Sequence, residues 1–570
     1  MIFSHRLAPL ALTAAGALVV LVATSAPAIA ANGDPSSWSG SYLAGRHAER
    51  QRDFGGAAAF LGQALAHEPT NFELLQRTHA ALLSEGRFDD AVAMARRIVA
   101  QSSANAAANV TLAVDAVRTD RWDDAAKALS EIPLQGFHRL IVPLVRAWVD
   151  AGRGRADAID QLKPLADLAE VKTIVDFHAG LIHERLGQVE AAEALLRPLA
   201  EREERLAPRI VEAVAMFYAA HGRLDEARAV VSRARAVFPD SLSLEGVTNA
   251  IEAPKPASFI ADARAGVAAA LFDMASAIRG EGDGLLSLPF GRYALAILPA
   301  DPAALLLVGD ILDQQRQADA ANAMFGRIPP NTAIGWSARL RMAENLHQLT
   351  RTPEAVTLLE AMAEERPDRV DALITLGALK RVQEKYAEAA QVYDRAVARL
   401  PGREGRHWSL FYARGIAYER SKQWPKAEAD FLAALELQPE QPDVLNYLAY
   451  SWVDQGHAEK YDRALKMLER AVELRPNSGH IIDSLAWALF RLGRHADSVP
   501  LLERAVELLP TEAVILDHLG DAYWQVGRRA EARYQWKRAL DSKPEADLKP
   551  ELEKKLRDGM APPTPPTRGG

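Results

Sequence analysis

At 570 residues the chain is longer than one ordinary hydrophobic core supports, so it holds several domains or an array of repeats. Apolar residues at 49% and charged residues at 25% are usual for a folded protein, and a net charge of -8 over this length argues against nucleic acid as the main partner. Cysteine is absent from the sequence, which removes disulfides, thiol nucleophiles and thiolate metal ligands and leaves no residue for a lipoprotein anchor.

In chain order, residues 1–30 read as an export signal. Arg6 is followed by an apolar run from Leu7 to Val22, and Ala28-Ile29-Ala30 forms a small-residue cleavage site. Cleavage is expected after Ala30, which implies a periplasmic protein with no integral membrane span once the signal is removed; the apolar run is short for a span. An N-terminal array over 38–240 follows, with units beginning near Trp38, Phe72, Ala106, Leu140, Thr173 and Pro208. Between Asp240 and Gly266 the register is lost. Pro254 and Pro256 do not fit a helix interior, so 241–267 reads as a linker or as an irregular stretch around one extra helix. A C-terminal array over 268–546 resumes at Ala268, Pro302, Trp336, Val370 and Trp408, and three further units run through residues 442–546. The last stretch, 547–570, divides into a capping helix around Pro550–Gly559 and a proline-rich tail, APPTPPTRGG, expected to be disordered.

The period is clearest in residues 442–546. Pro476, Pro510 and Pro544 lie 34 residues apart, and Ala464, Ser498 and Ala532 each stand twelve before their proline. Gly456, Gly493 and Gly527 mark a turn inside each unit, and Ala449, Ala486 and Gly520 let two helices approach. The small position of the second helix recurs as Ala57, Ala91, Ala125, Ala192, Ala227, Ser287, Ala321, Ala355, Ala389 and Ala427. Only the unit at Leu140 misses it, with Ile159 in the slot. Helix, turn, helix and proline at this period make up fourteen units in all, none able to bury its apolar face alone. The chain resembles the tetratricopeptide repeat (TPR) family over about residues 38–546. Its C-terminal third, through WSLFYARGIAYERSKQWPKAEADFLAALELQPEQPDVLNYLAYSWVDQG, HIIDSLAWALFRLGR and DHLGDAYWQVGRRAEARYQWKRAL, is similar to a group of exported bacterial members. The resemblance implies an all-α solenoid used for protein–protein interaction, without enzymatic activity and without a cofactor.

In that family the first helix of each unit lines a concave face. Aligning the last units places there Tyr412, then Asp443, Asn446 and Tyr450, then Asp483, Trp487 and Arg491, and finally Asp517, Asp521 and Trp524. Asn446, Asp483 and Asp517 share one slot, and Tyr450, Trp487 and Asp521 another. Such rows suit the backbone and side chains of an extended peptide or helix, and the acidic bias favours a basic segment. The competing role is packing between units. His480 with Asp483, and Asp517 with His518, read as polar neighbours on a helix rather than as a catalytic or metal site, and no P-loop, G-x-S-x-G or H-E-x-x-H motif is present. The expected function is a periplasmic interaction scaffold in envelope assembly or secretion; an arm of a polysaccharide export machinery is the alternative.

Overall fold

A computed structural model describes residues 37–201, 207–238, 241–280 and 284–560. The expected signal (1–30) and proline-rich tail (561–570) lie outside the described residues. Among the described residues there are twenty-nine α-helices and no strand. None of these helices is long and apolar enough to cross a membrane. The chain divides into two compact units, 1–355 and 356–570.

In the first unit, α1 (Trp38–Gln51) pairs with α2 (Phe54–His67), α3 (Phe72–Glu85) with α4 (Phe88–Gln101), and α5 (Ala106–Arg118) with α6 (Trp122–Ser130). α7 (His138–Gly152) is followed by a 3-10 stretch, Ala158–Leu165; α8 (Lys172–Arg185) then pairs with α9 (Val189–Glu201), and α10 (Pro208–Ala220) with α11 (Leu224–Val237). A lone α12 (Leu242–Ile251) precedes α13 (Ala263–Gly280) with α14 (Gly284–Ile297), α15 (Pro302–Gln314) with α16 (Ala318–Phe325), and α17 (Ala333–Gln348). α18 (Thr352–Glu365) contains the division between the units. The second unit stacks α19 (Asp371–Val382) with α20 (Tyr386–Ala398), α21 (Trp408–Arg420) with α22 (Trp424–Leu437), and α23 (Pro442–Asp454) with α24 (Tyr461–Leu474). It ends with α25 (Gly479–Arg491) and α26 (His495–Leu508), α27 (Ala513–Gln525) and α28 (Arg529–Asp541), and a single α29 (Leu548–Asp558).

The period follows from two contacts that recur from hairpin to hairpin. All thirteen small residues of the second-helix slot, from Ala57 to Ala532, are 0% exposed, because helix packs on helix there and no larger side chain fits. The second contact joins the two helices of a hairpin. A Cβ on Gly309 would meet Phe325 at 2.3 Å, and one on Gly520 would meet Trp536 at 2.4 Å, so a large ring sixteen residues on fills the space a missing side chain leaves. The turn glycines Gly456, Gly493 and Gly527 have φ between 77° and 86°, as a left-handed helix stop requires. The unit at Leu140 departs from the pattern where its slot does. Ala158, not Ile159, takes the buried place, and the α-helix is replaced by the 3-10 stretch containing Pro164.

The segment 241–267 lies inside the first unit. Leu244, Val247 and Ile251 make an apolar stripe on α12, almost fully buried against α10, α11 and α17. α13 and α14 then cover the first helices of the N-terminal hairpins, α13 lying on α7, α8 and α5 and α14 on α5 and α3. Gly266 faces the fully buried Trp148, leaving no room for a Cβ. Phe290 packs on Phe137 with ring centroids 5.2 Å apart, and Arg292 Nε donates to the Ser84 carbonyl at 3.0 Å. The Tyr293 hydroxyl lies 2.8 Å from Thr111 Oγ1, which lies 2.8 Å from His79 Nε2; burial pushes that imidazole down to about 4. Asp273 faces both His178 (3.2 Å) and Arg209 (2.9 Å). The face that the repeat pattern offers to partners is here part of the unit's own core.

Candidate partner-binding face of the second unit

In the second unit the first helices α19, α21, α23, α25 and α27 succeed one another, and the ten residues singled out from the sequence lie on the last four of these. Tyr412 on α21 is half-buried among rings. Its centroid is 5.9 Å from Tyr447, 6.0 Å from Phe431 and 6.2 Å from Trp408. Burial, and then Asp443, push its hydroxyl above the usual tyrosine range, against Arg381 and Arg475. On α23, Asp443 accepts a hydrogen bond from Arg475 at 2.7 Å, and Tyr447 donates to Glu419 at 3.1 Å. Asn446 sits one turn after Asp443, with its side-chain oxygen buried and without a hydrogen-bond partner among the described residues. Tyr450 follows a turn later, its hydroxyl also pushed up by burial and then by Asp454 and Asp483.

Further along, the acidic residues are already paired. His518 Nδ1 lies 2.9 and 3.1 Å from the two Asp483 oxygens. Trp487 stacks on the His518 ring at 3.9 Å and on Phe490 at 4.8 Å. Burial disfavours the imidazolium, yet Asp483, backed by Asp517 and Asp521, outweighs it and holds His518 above its ordinary range. The exposed Arg491 is 3.6 Å from Asp454. Asp517 and Asp521 share one cation, Lys555 of α29, whose Nζ donates to both Asp517 oxygens at 2.7 and 2.8 Å and to Asp521 at 2.8 Å. The Asp521 oxygen left over accepts from Trp536 Nε1 at 2.9 Å. Burial, then Asp517 one turn away, push the Asp521 carboxyl up to about 6 in spite of Lys555. Trp524 Nε1 donates to the Met560 carbonyl at 2.9 Å, so Asp517, Asp521 and Trp524 all lie beneath α29 and the residues just after it.

The structure thus gathers Tyr412, Asp443, Asn446 and Tyr450 into one aromatic–polar stretch, and turns Asp483, Trp487, Asp517, Asp521 and Trp524 into a network between hairpins and cap. Four participants were not singled out from the sequence as groove residues: Arg475, Tyr447, His518 and Lys555. Asp483 pairs with His518 rather than with His480, which is exposed. The separation of 35 residues, one period plus one, was the signal that could have found that pair.

Two family models, each described as tetratricopeptide repeat, match residues 82–140 and residues 177–241, 340–404, 412–459 and 454–513. The TPR repeat-containing protein PA4667 of Pseudomonas aeruginosa is 26% identical over 197 residues, 34% of this chain and 32% of that protein. The protein O-mannosyl-transferase TMTC1 of Mus musculus is 27% identical over 165 residues, 28% of this chain and 17% of that protein. The chain therefore spans a third or less of these curated relatives. Among solved structures, Cut9 with Hcn1 of the APC/C has a TM-score of 0.39 at 14% identity, covering 92% of this chain and 97% of the other. YrrB, a TPR protein with an unusual peptide-binding site, has 0.27 at 22%, covering 34% and 97%. Repeats of this kind form an interaction scaffold for other proteins and peptides, generally a non-catalytic one. With matched hairpins in both units and the thirteen buried small residues in register, the chain belongs to the tetratricopeptide repeat family.

Proposed function

We propose that this protein is exported to the periplasm and works there as an adaptor or scaffold in envelope assembly or secretion. It holds extended segments of partner proteins along α19, α21, α23 and α25 of the second unit. The export-type sequence at 1–30 supports the location. The observation that carries the binding reading is the row of half-buried polar and aromatic side chains, Tyr412 on α21 and Asn446 and Tyr450 on α23. Amide and hydroxyl groups repeated along successive first helices suit the backbone of an extended peptide. Tyr412 and Tyr450 on either side supply apolar area with polar edges. The first unit supports the same choice of face, since α13 and α14 already cover its α3, α5, α7 and α8.

A photo-crosslinking amino acid placed at Tyr450 in the exported protein tests this, with the same group at the exposed Leu508 of α26 as the control. The expected result is partner adducts from position 450, few from 508, and a reduced yield when Asn446→Leu is added. Equal adducts from both positions, or none from 450 in a folded protein, overturn the face. Retention of the protein in the cytoplasm after osmotic shock overturns the location.

A further inference from the structure

α29 is held unlike any other helix of the second unit. α27, one hairpin earlier, buries ten residues, whereas α29 buries one, Leu552, with Leu548 and Leu556 partly covered on the same stripe. Most of its remaining hold is polar. Lys555 bridges Asp517 and Asp521, the Trp524 ring lies against Gly559 and bonds the Met560 carbonyl, and Arg533 donates to the Leu556 carbonyl. Asp517 and Asp521 are one turn apart on one face of α27 and are 5% and 3% exposed. Two buried carboxylates this close repel each other, so whatever covers them must bring a positive charge. Leucines 548, 552 and 556 at intervals of four, with a lysine beside the last, describe the ligand that this surface accepts.

We infer that the face formed by α27 and α28 is a receiving site for an amphipathic helix carrying a leucine stripe and a lysine or arginine, that α29 fills it within the chain, and that a partner helix of the same pattern exchanges with α29. The inference rests on the reading of the second unit as a partner face and adds a distinct end to it. An extended segment lies along α19 to α25, and a basic helix enters at α27. While α29 is seated, the apparent affinity for an outside helix is reduced by the fraction of molecules in which the site is open.

The probe is a fluorescein-labelled synthetic peptide of residues 545–560, EADLKPELEKKLRDGM, added to the full-length protein. In full-length Lys555→Glu the cis helix meets two carboxylates with a third, so amide exchange in 548–558 should rise while α25–α28 stay protected. The peptide should then bind this variant at least roughly tenfold more tightly than the wild type. A peptide carrying Lys555→Glu should bind neither. Leu552→Asp, which attacks the apolar side of the same contact, should open the site in the same way. Equal binding to wild type and both variants, no binding to either variant, or unchanged protection of α29 in both, would each overturn the exchange. Crosslinking from position 450 on the same variants reports the α19–α25 face separately, so loss of one reading is distinguishable from loss of the other.

Discussion

Asp521 offers a prediction whose sign is set by the structure. Its carboxyl rises from 3.8 to about 6, mainly by burial, so between those values the folded chain carries a proton that the unfolded chain does not. Stability from this group therefore grows as pH falls through 6, is complete below the unfolded value, and is lost above pH 6. The rise corresponds to about 3 kcal/mol of penalty for the charged form at pH 8. Asp521→Asn keeps an oxygen for the Trp536 indole N–H and leaves Lys555 its two bonds to Asp517, while the amide NH2 replaces the oxygen that accepted the third Lys555 bond, so the gain from removing the buried charge is an upper bound. The variant should thus be more stable than wild type at pH 8, by up to about 3 kcal/mol, with the advantage gone by pH 4. His518 acts in the same direction: its folded value is raised, so its contribution is present at low pH and fades on the alkaline side. The assay is the local opening free energy of residues 513–541 by amide exchange, compared between wild type and variant across pH 4 to 8. A gap that stays constant with pH, or a variant less stable at pH 8, refutes the assignment of Asp521 as a buried, disfavoured anion.

Three further changes test the packing rules. Trp148→Ala removes a fully buried ring between α7 and α13 and should cost roughly 3–5 kcal/mol, read as lowered denaturant resistance of the first unit, with exchange rising in 263–280. Ala464→Leu puts a large side chain into the closed slot and should cost about 1–3 kcal/mol, seen as raised exchange in α23–α26. Thr350→Gly relieves a β-branched residue held at φ 61° and should stabilise the first unit by about 1 kcal/mol, measured as a higher denaturation midpoint.

The hairpins were legible because one geometric demand recurs every 34 residues, and each small residue of the slot reports it independently of its neighbours. The faces were legible only in part. Asn446, Tyr450 and Trp487 were placed correctly on first helices because position within a unit determines the side of a helix. What position within a unit does not determine is which residue one period away will meet them. Asp483 found His518, and Asp517 and Asp521 found Lys555, through contacts between different helices. Nor did the break at 241–267 announce its packing. Two prolines stop a helix whether the chain then leaves the body or turns back onto it, and only the stripe Leu244, Val247, Ile251 hints that α12 is covered.

Why the two units treat the same face differently can be read from α13. A first helix in this family presents a shallow strip of side chains, and a second layer can nest on it only if its own side chains are short. α13 supplies that in ARAGVAAALFDMASAIRG: Gly266, Ala268, Ala269, Ala270 and Ala275 are buried, and Gly266 lets Trp148 lie flat against the backbone. The apolar area so covered stabilises at about 25 cal/mol per Å², which favours a constitutive fit over a displaceable one. α29, by contrast, is LKPELEKKLRD, with leucine as its only apolar residue type and lysine doing much of the holding. A contact of few leucines and one shared lysine is strong enough to close the acidic end of the unit and weak enough to be exchanged. The repeat pattern builds the same strip in both units; the small or charged character of the helix laid upon it decides whether the strip becomes core or remains a site.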